Sequence, residues 1–77
     1  MAKDVIIVNK IEDKVNEYIN LTGTSKVWVS MKMGISKQAL YGLFKSPKPT
    51  IDNLEKMAYI IGCRVDELYS KEIIERK

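Results

Sequence analysis

Ser25-Lys26-Val27-Trp28-Val29-Ser30-Met31-Lys32-Met33-Gly34-Ile35-Ser36-Lys37-Gln38-Ala39-Leu40-Tyr41-Gly42-Leu43-Phe44 is the stretch on which the architecture turns. Serine makes a good helix N-cap because its hydroxyl accepts from an orphan amide of the first turn, and it stands here twice, at Ser25 and Ser36. The first cap opens a helix through Met33 with Val29 and Met33 facing inward, and the second opens a helix whose inward residues are Leu40 and Leu43. Gly34 breaks the pattern between them and Ile35 fills the turn. Helices joined this closely cross at about 90 to 120° only under strict conditions. The crossing needs a small side chain, which Ser30 supplies, its hydroxyl free to bond back to the carbonyl of Lys26. The turn needs a residue tolerant of positive φ, which Gly34 supplies. Ile35 and Leu40 then wedge the second helix against the first.

Working outward, Ile11, Val15, Tyr18 and Ile19 fall on one stripe of a helix that runs to about Asn20. Its start has two readings: Asn9 with Glu12 resembles a capping box, while Asp4 would cap a longer version. On the other side, Lys45-Ser46-Pro47-Lys48-Pro49 is a loop, since each proline lacks an amide donor and pushes its predecessor out of the helical region. Thr50 caps a fourth helix, in which Leu54, Met57, Ala58 and Ile61 stand at i, i+3, i+4 and i+7 and Gly62 ends the run. Asp66 and Glu67 favour a short fifth helix with Val65, Leu68 and Tyr69 facing inward. The expected fold is therefore all-α, a compact five-helix domain over residues 9–69, with the motif at 25–44, an N-terminal extension at 1–8 and a C-terminal tail at 70–77.

Composition narrows the function. Seventy-seven residues allow one domain and leave little room for a deep catalytic cleft, so an enzyme is not expected. With 45% apolar and 30% charged residues the chain reads as a folded globular domain. No apolar run approaches the roughly 18 residues that span a bilayer, and no signal-peptide core follows Lys3 and Asp4, so a cytoplasmic protein is expected. One cysteine and no histidine give no disulfide and no metal cage; no metal or cofactor is expected, and Cys63 reads as core filler.

The net charge of +3 is unevenly spread. Residues 1–17 and 52–77 each sum to −1, whereas residues 18–51 contain no acid and five lysines, Lys26, Lys32, Lys37, Lys45 and Lys48. A basic zone on a near-neutral body suits a polyanion such as the DNA backbone, although a solvated lysine face reads equally well from charge alone.

Residues 25–41, with Pro49-Thr50, Leu54-Glu55-Lys56-Met57-Ala58, Ile61-Gly62 and Val65-Asp66-Glu67-Leu68-Tyr69, resemble the Cro and phage-repressor (Xre) helix-turn-helix family. The resemblance covers about Ile11 to Tyr69 and implies a lambda-repressor-like fold whose third helix enters the major groove while the second crosses the backbone. It implies Lys37, Gln38 and Tyr41 as base readers, with Lys26, Ser36, Lys45 and Lys48 on phosphates and Ser30, Gly34, Ile35 and Leu40 as the structural set. Gly42 occupies a position that in the family often carries a long base-contacting side chain, so that contact is missing.

Val27, Trp28 and Met31 on the second helix, and Tyr59 with Ile60 on the fourth, fall where the resemblance implies an outward, usually polar face. Exposed apolar clusters point to a partner, unless Val5 to Val8 or Ile73 and Ile74 fold back over them. Trp28, Tyr59, Ile60, Ile73 and Ile74 are the candidate interface residues, and Val5 to Val8 are a second candidate, as a strand that pairs with a symmetry mate. The expected function is a sequence-specific transcriptional regulator, a phage or prophage repressor or Cro-like protein that occupies operator DNA as a weak homodimer. The competing expectation is a protein-interaction module of the same fold, anti-repressor or antitoxin-like.

Overall fold

The computed structural model describes the backbone of residues 2–76 and the side chains of residues 4–73. Its order is β1 (Ala2–Asn9), α1 (Ile11–Thr22), α2 (Lys26–Met33), α3 (Lys37–Phe44), α4 (Ile51–Ile61), a 3-10 turn at Val65–Glu67, and β2 (Tyr69–Arg76). The all-α, five-helix expectation is thus corrected. The fifth helix is a single 3-10 turn, and the segments set aside as extension and tail pair with each other as an antiparallel two-stranded ribbon, from Asn9↔Tyr69 at its foot to Ala2↔Arg76 at its tip. Val5 to Val8 are four consecutive β-branched residues, and such residues favour strands. Their partner is the chain's own C-terminus, so β1 is not left to pair solely with a symmetry mate.

Each helix begins where local chemistry places it. Ser25 Oγ accepts from Trp28 N at 3.1 Å, Ser36 Oγ from Ala39 N at 3.1 Å, and Thr50 Oγ1 from Asn53 N at 3.3 Å. The start of α1 differs from both sequence readings. Asp4 lies within β1, and Asn9 Oδ1 accepts from Ile11 N at 2.8 Å while its amide group turns elsewhere, so Asn9 and Glu12 form no reciprocal box. The helix runs on to Thr22 and ends at Gly23.

Side chains from all four helices meet in one core. Ile11 and Val15 of α1, Val29 and Met33 of α2, Leu40 and Phe44 of α3, and Leu54, Met57, Ala58 and Ile61 of α4 are buried, and Leu68 closes the end of the core after the 3-10 turn. Burying a side chain of this size contributes about 1.5 to 3 kcal/mol, so this cluster supplies most of what holds the helices. Leu43, read as inward, is only half-buried, and Phe44 takes the core position instead. The ribbon adds length: the molecule measures 47 × 22 × 17 Å, and Val5, Ile6 and Ile73 stay exposed on it, so the ribbon does not fold back over the outer faces of α2 and α4. Its foot is anchored by Lys10 N donating to Leu68 O at 2.8 Å. Among the described residues no helix is long and apolar enough to cross a membrane.

Candidate nucleic-acid interface

The turn between α2 and α3 is three residues, Gly34, Ile35 and Ser36. Gly34 has φ +73°, the left-handed conformation that a side chain resists, and this lets Ile35 N donate back to Ser30 O at 3.0 Å, closing the end of α2. Ser30 is 3% exposed, so a larger side chain there would push the two helices apart. Its hydroxyl donates to Val27 O at 2.8 Å, not to Lys26 as expected; the bond reaches back three residues instead of four. Leu40 is fully buried and Ile35 half-buried, the wedge that the sequence assigned to them.

This packing leaves one face of α3 in solvent. Lys37, Gln38 and Tyr41 are all exposed on it, one helical turn apart or less. The Tyr41 ring is braced edge-on against the buried Phe44, with centroids 5.8 Å apart and planes at 64°. Two ammonium groups approach the same ring: Lys26 Nζ from α2 at 5.5 Å and Lys37 Nζ at 5.9 Å from its centroid. Tyr41 therefore gathers a cation from each helix beside the carboxamide of Gln38. The described ion pairs join Lys14 to Glu17, Lys56 to Asp52 and Arg64 to Asp66, so none neutralises a lysine of residues 18–51.

The remaining phosphate candidates lie at the two ends of α3 and in the loop that follows it. Ser36 stands exposed at the start of α3, where amides without helical partners add positive potential. Lys45 caps the other end, and Lys48 is exposed between Pro47 and Pro49. That end is held by a residue whose role the sequence did not disclose. Asn9 Nδ2 donates to Leu43 O at 2.7 Å and to Ser46 O at 2.9 Å, tying the foot of β1 to the last turn of α3 and its following loop. Its partners lie 34 and 37 residues away, so no local signal marks it.

The candidate interface residues do not form one surface. Trp28 is half-buried, stacked on Tyr18 of α1 at 6.0 Å and 26° with Lys32 Nζ 5.5 Å above its ring, so it joins α1 to α2 and is not simply outward. Ile60 is half-buried against the core. Tyr59 is 90% exposed and Met31 71%, and Tyr59 lines a cleft with Lys32, Asp52, Glu55, Lys56 and Ile60. Ile73 is exposed on the ribbon, and the side chain of Ile74 lies outside the described residues. Partial burial, and after it the Glu67 carboxylate, push the Cys63 thiol up, and its side chain packs against the core.

No protein-family model matches the chain, and no curated protein or solved structure matches it significantly.

Proposed function

We propose that the chain is a sequence-specific DNA-binding transcriptional regulator of the phage or prophage repressor or Cro-like kind. It works in the cytoplasm of a bacterium or infected cell and occupies operator DNA through α3. The observation that carries this reading is the pair of ammonium groups, Lys26 and Lys37, converging on Tyr41 beside the exposed Gln38 on a face without carboxylate partners. Glutamine pairs bidentately with adenine, and lysine donates to guanine O6 and N7. An eight-residue α3 spans few base pairs and Gly42 adds no side chain, so two chains on a pseudo-palindrome, their recognition helices about 34 Å apart, make the functional unit.

A binding titration against the DNA flanking its own gene, at several salt concentrations, tests this. Four phosphate contacts per chain predict a log-log slope of about −3 to −4 per chain, with two chains per duplex. Gln38→Ala costs about 1 to 3 kcal/mol on the operator and relaxes selectivity at one position, whereas Lys45→Ala weakens all sequences alike. Affinity that does not change with salt overturns the reading; equal losses on operator and random DNA for both variants remove Gln38 as a reader.

A protein-interaction module of the same fold is the second reading. Its support is the cleft at Tyr59, which lies on α4 and is lined by two lysines and two carboxylates with exposed aromatic surface.

A further inference from the structure

By sequence Lys71 belongs to the slightly acidic C-terminal segment, yet the fold brings it to the same cavity as Lys48 of the acid-free segment. The register puts Lys71 opposite Ile7 and on the same ribbon face as Tyr69, while its neighbour Glu72 points to the other face. Under that face, between the ribbon foot and the loop after α3, lies a cavity lined by Ile7, Lys48, Pro49, Leu54, Tyr69 and Lys71. Its two charged groups are both lysines, both exposed, and neither is engaged by a carboxylate among the described residues. Two ammonium groups flanking one apolar-walled cavity repel unless an anion lies between them, and the apolar wall strengthens the attraction that anion feels. Pro47 and Pro49 stiffen the loop around Lys48. The two bonds from Asn9 to Leu43 O and Ser46 O fix the ribbon foot, and with it this lysine pair, against the end of α3.

We propose that Lys71 and Lys48 form a clamp for a DNA backbone phosphate, so that the ribbon extends the DNA contact beyond the helix pair. This rests on the DNA-binding reading above. The clamp carries no base selectivity, because a point charge on a phosphate positions the protein without reading sequence.

The test compares the salt dependence of duplex binding for the full chain with that of Lys71→Gln, Lys48→Gln, Lys45→Gln and Lys56→Gln. Lys56 is the control, since it pairs with Asp52 at 3.4 Å on α4. Lys71→Gln and Lys48→Gln are each expected to flatten the log-log slope by part of the roughly 0.9 of one phosphate, the double variant by about 0.9, and all to weaken operator and random duplexes alike, with the Lys56→Gln slope unchanged. Lys71→Arg, which keeps the charge, is expected to retain the wild-type slope; a flattened slope in that variant contradicts the charge argument. A Lys71→Gln slope equal to wild type, while Lys45→Gln flattens it, overturns the clamp and leaves the DNA-binding reading standing. Wild-type affinity without salt dependence overturns both. Inorganic phosphate is the last arm: a millimolar titration that saturates side-chain shifts of Lys48 and Lys71, in a protein whose Lys71→Gln variant binds DNA normally, assigns the cavity to a free anion and overturns the clamp.

Discussion

Gly42 and Gly34 show how one residue type serves opposite ends at adjacent places. Gly34 sits at φ +73° with nothing within 4 Å of where a Cβ would be, so its constraint is the backbone conformation and not space. Gly42 has the same open surroundings but lies inside α3 without a positive φ. Gly42→Ala is therefore expected to stabilise the protein by about 0.5 to 1 kcal/mol, and Gly34→Ala to cost about 1 to 2 kcal/mol. Thermal melts of the two variants check this; a lowered melting temperature for Gly42→Ala contradicts the account of α3. The need for glycine at position 34 was legible in the sequence, because a turn of three residues leaves no other conformation. The caps at Ser25, Ser36 and Thr50 were legible for a similar reason, each bond spanning three residues. Trp28 was not, since its stacking partner Tyr18 belongs to another helix. Nor was Phe44: the i, i+3 spacing of Leu40 and Leu43 satisfies an inward stripe as well as the i, i+4 spacing of Leu40 and Phe44 that the core uses.

Among the elements, α3 depends most on something outside itself. Lys45 follows its last residue and closes it through its backbone N–H, and the carbonyls of Leu43 and Ser46 also accept from Asn9 at the foot of β1. Asn9→Ala removes both of these bonds; Leu43 O keeps the amide of Ser46 while Ser46 O is left to solvent, an expected loss of about 1 to 2 kcal/mol in a denaturant titration. It also frees the end of α3 and the loop bearing Lys48, so DNA affinity is expected to fall by more than the loss of a surface contact. Unchanged stability contradicts the role of Asn9 as a tie. The sequence marked Asn9 as a cap, and it does accept from Ile11 N, but half of its chemistry lies across the fold. The strands were hidden for a related reason. A half-buried strand shows alternation, and Val5-Ile6-Ile7-Val8 has none, because both faces of this ribbon carry apolar residues.

At the scale of the whole molecule, the four helices build a core that leaves the basic zone of residues 18–51 on the surface, and the ribbon prolongs the body to 47 Å. The acid-free run of residues 18–51 was legible as a segment sum. Segment sums cannot place Lys71, whose position depends on a pairing between residues more than sixty apart in the chain. Two surfaces compete for the functional role: the α3 face around Tyr41, and the cleft around Tyr59 on α4. Electrostatics favours the first for a polyanion, since its lysines lack carboxylate partners, whereas the second mixes Lys32 and Lys56 with Asp52 and Glu55. Amide chemical-shift mapping of the full chain titrated with a DNA duplex at low salt distinguishes them most directly. The account predicts that the largest changes fall on Lys26, on residues 36 to 41 and at Lys45 and Lys48, with Tyr59 and Ile60 unmoved; changes centred on Tyr59, Ile60 and Lys32, or no changes at all, would contradict it.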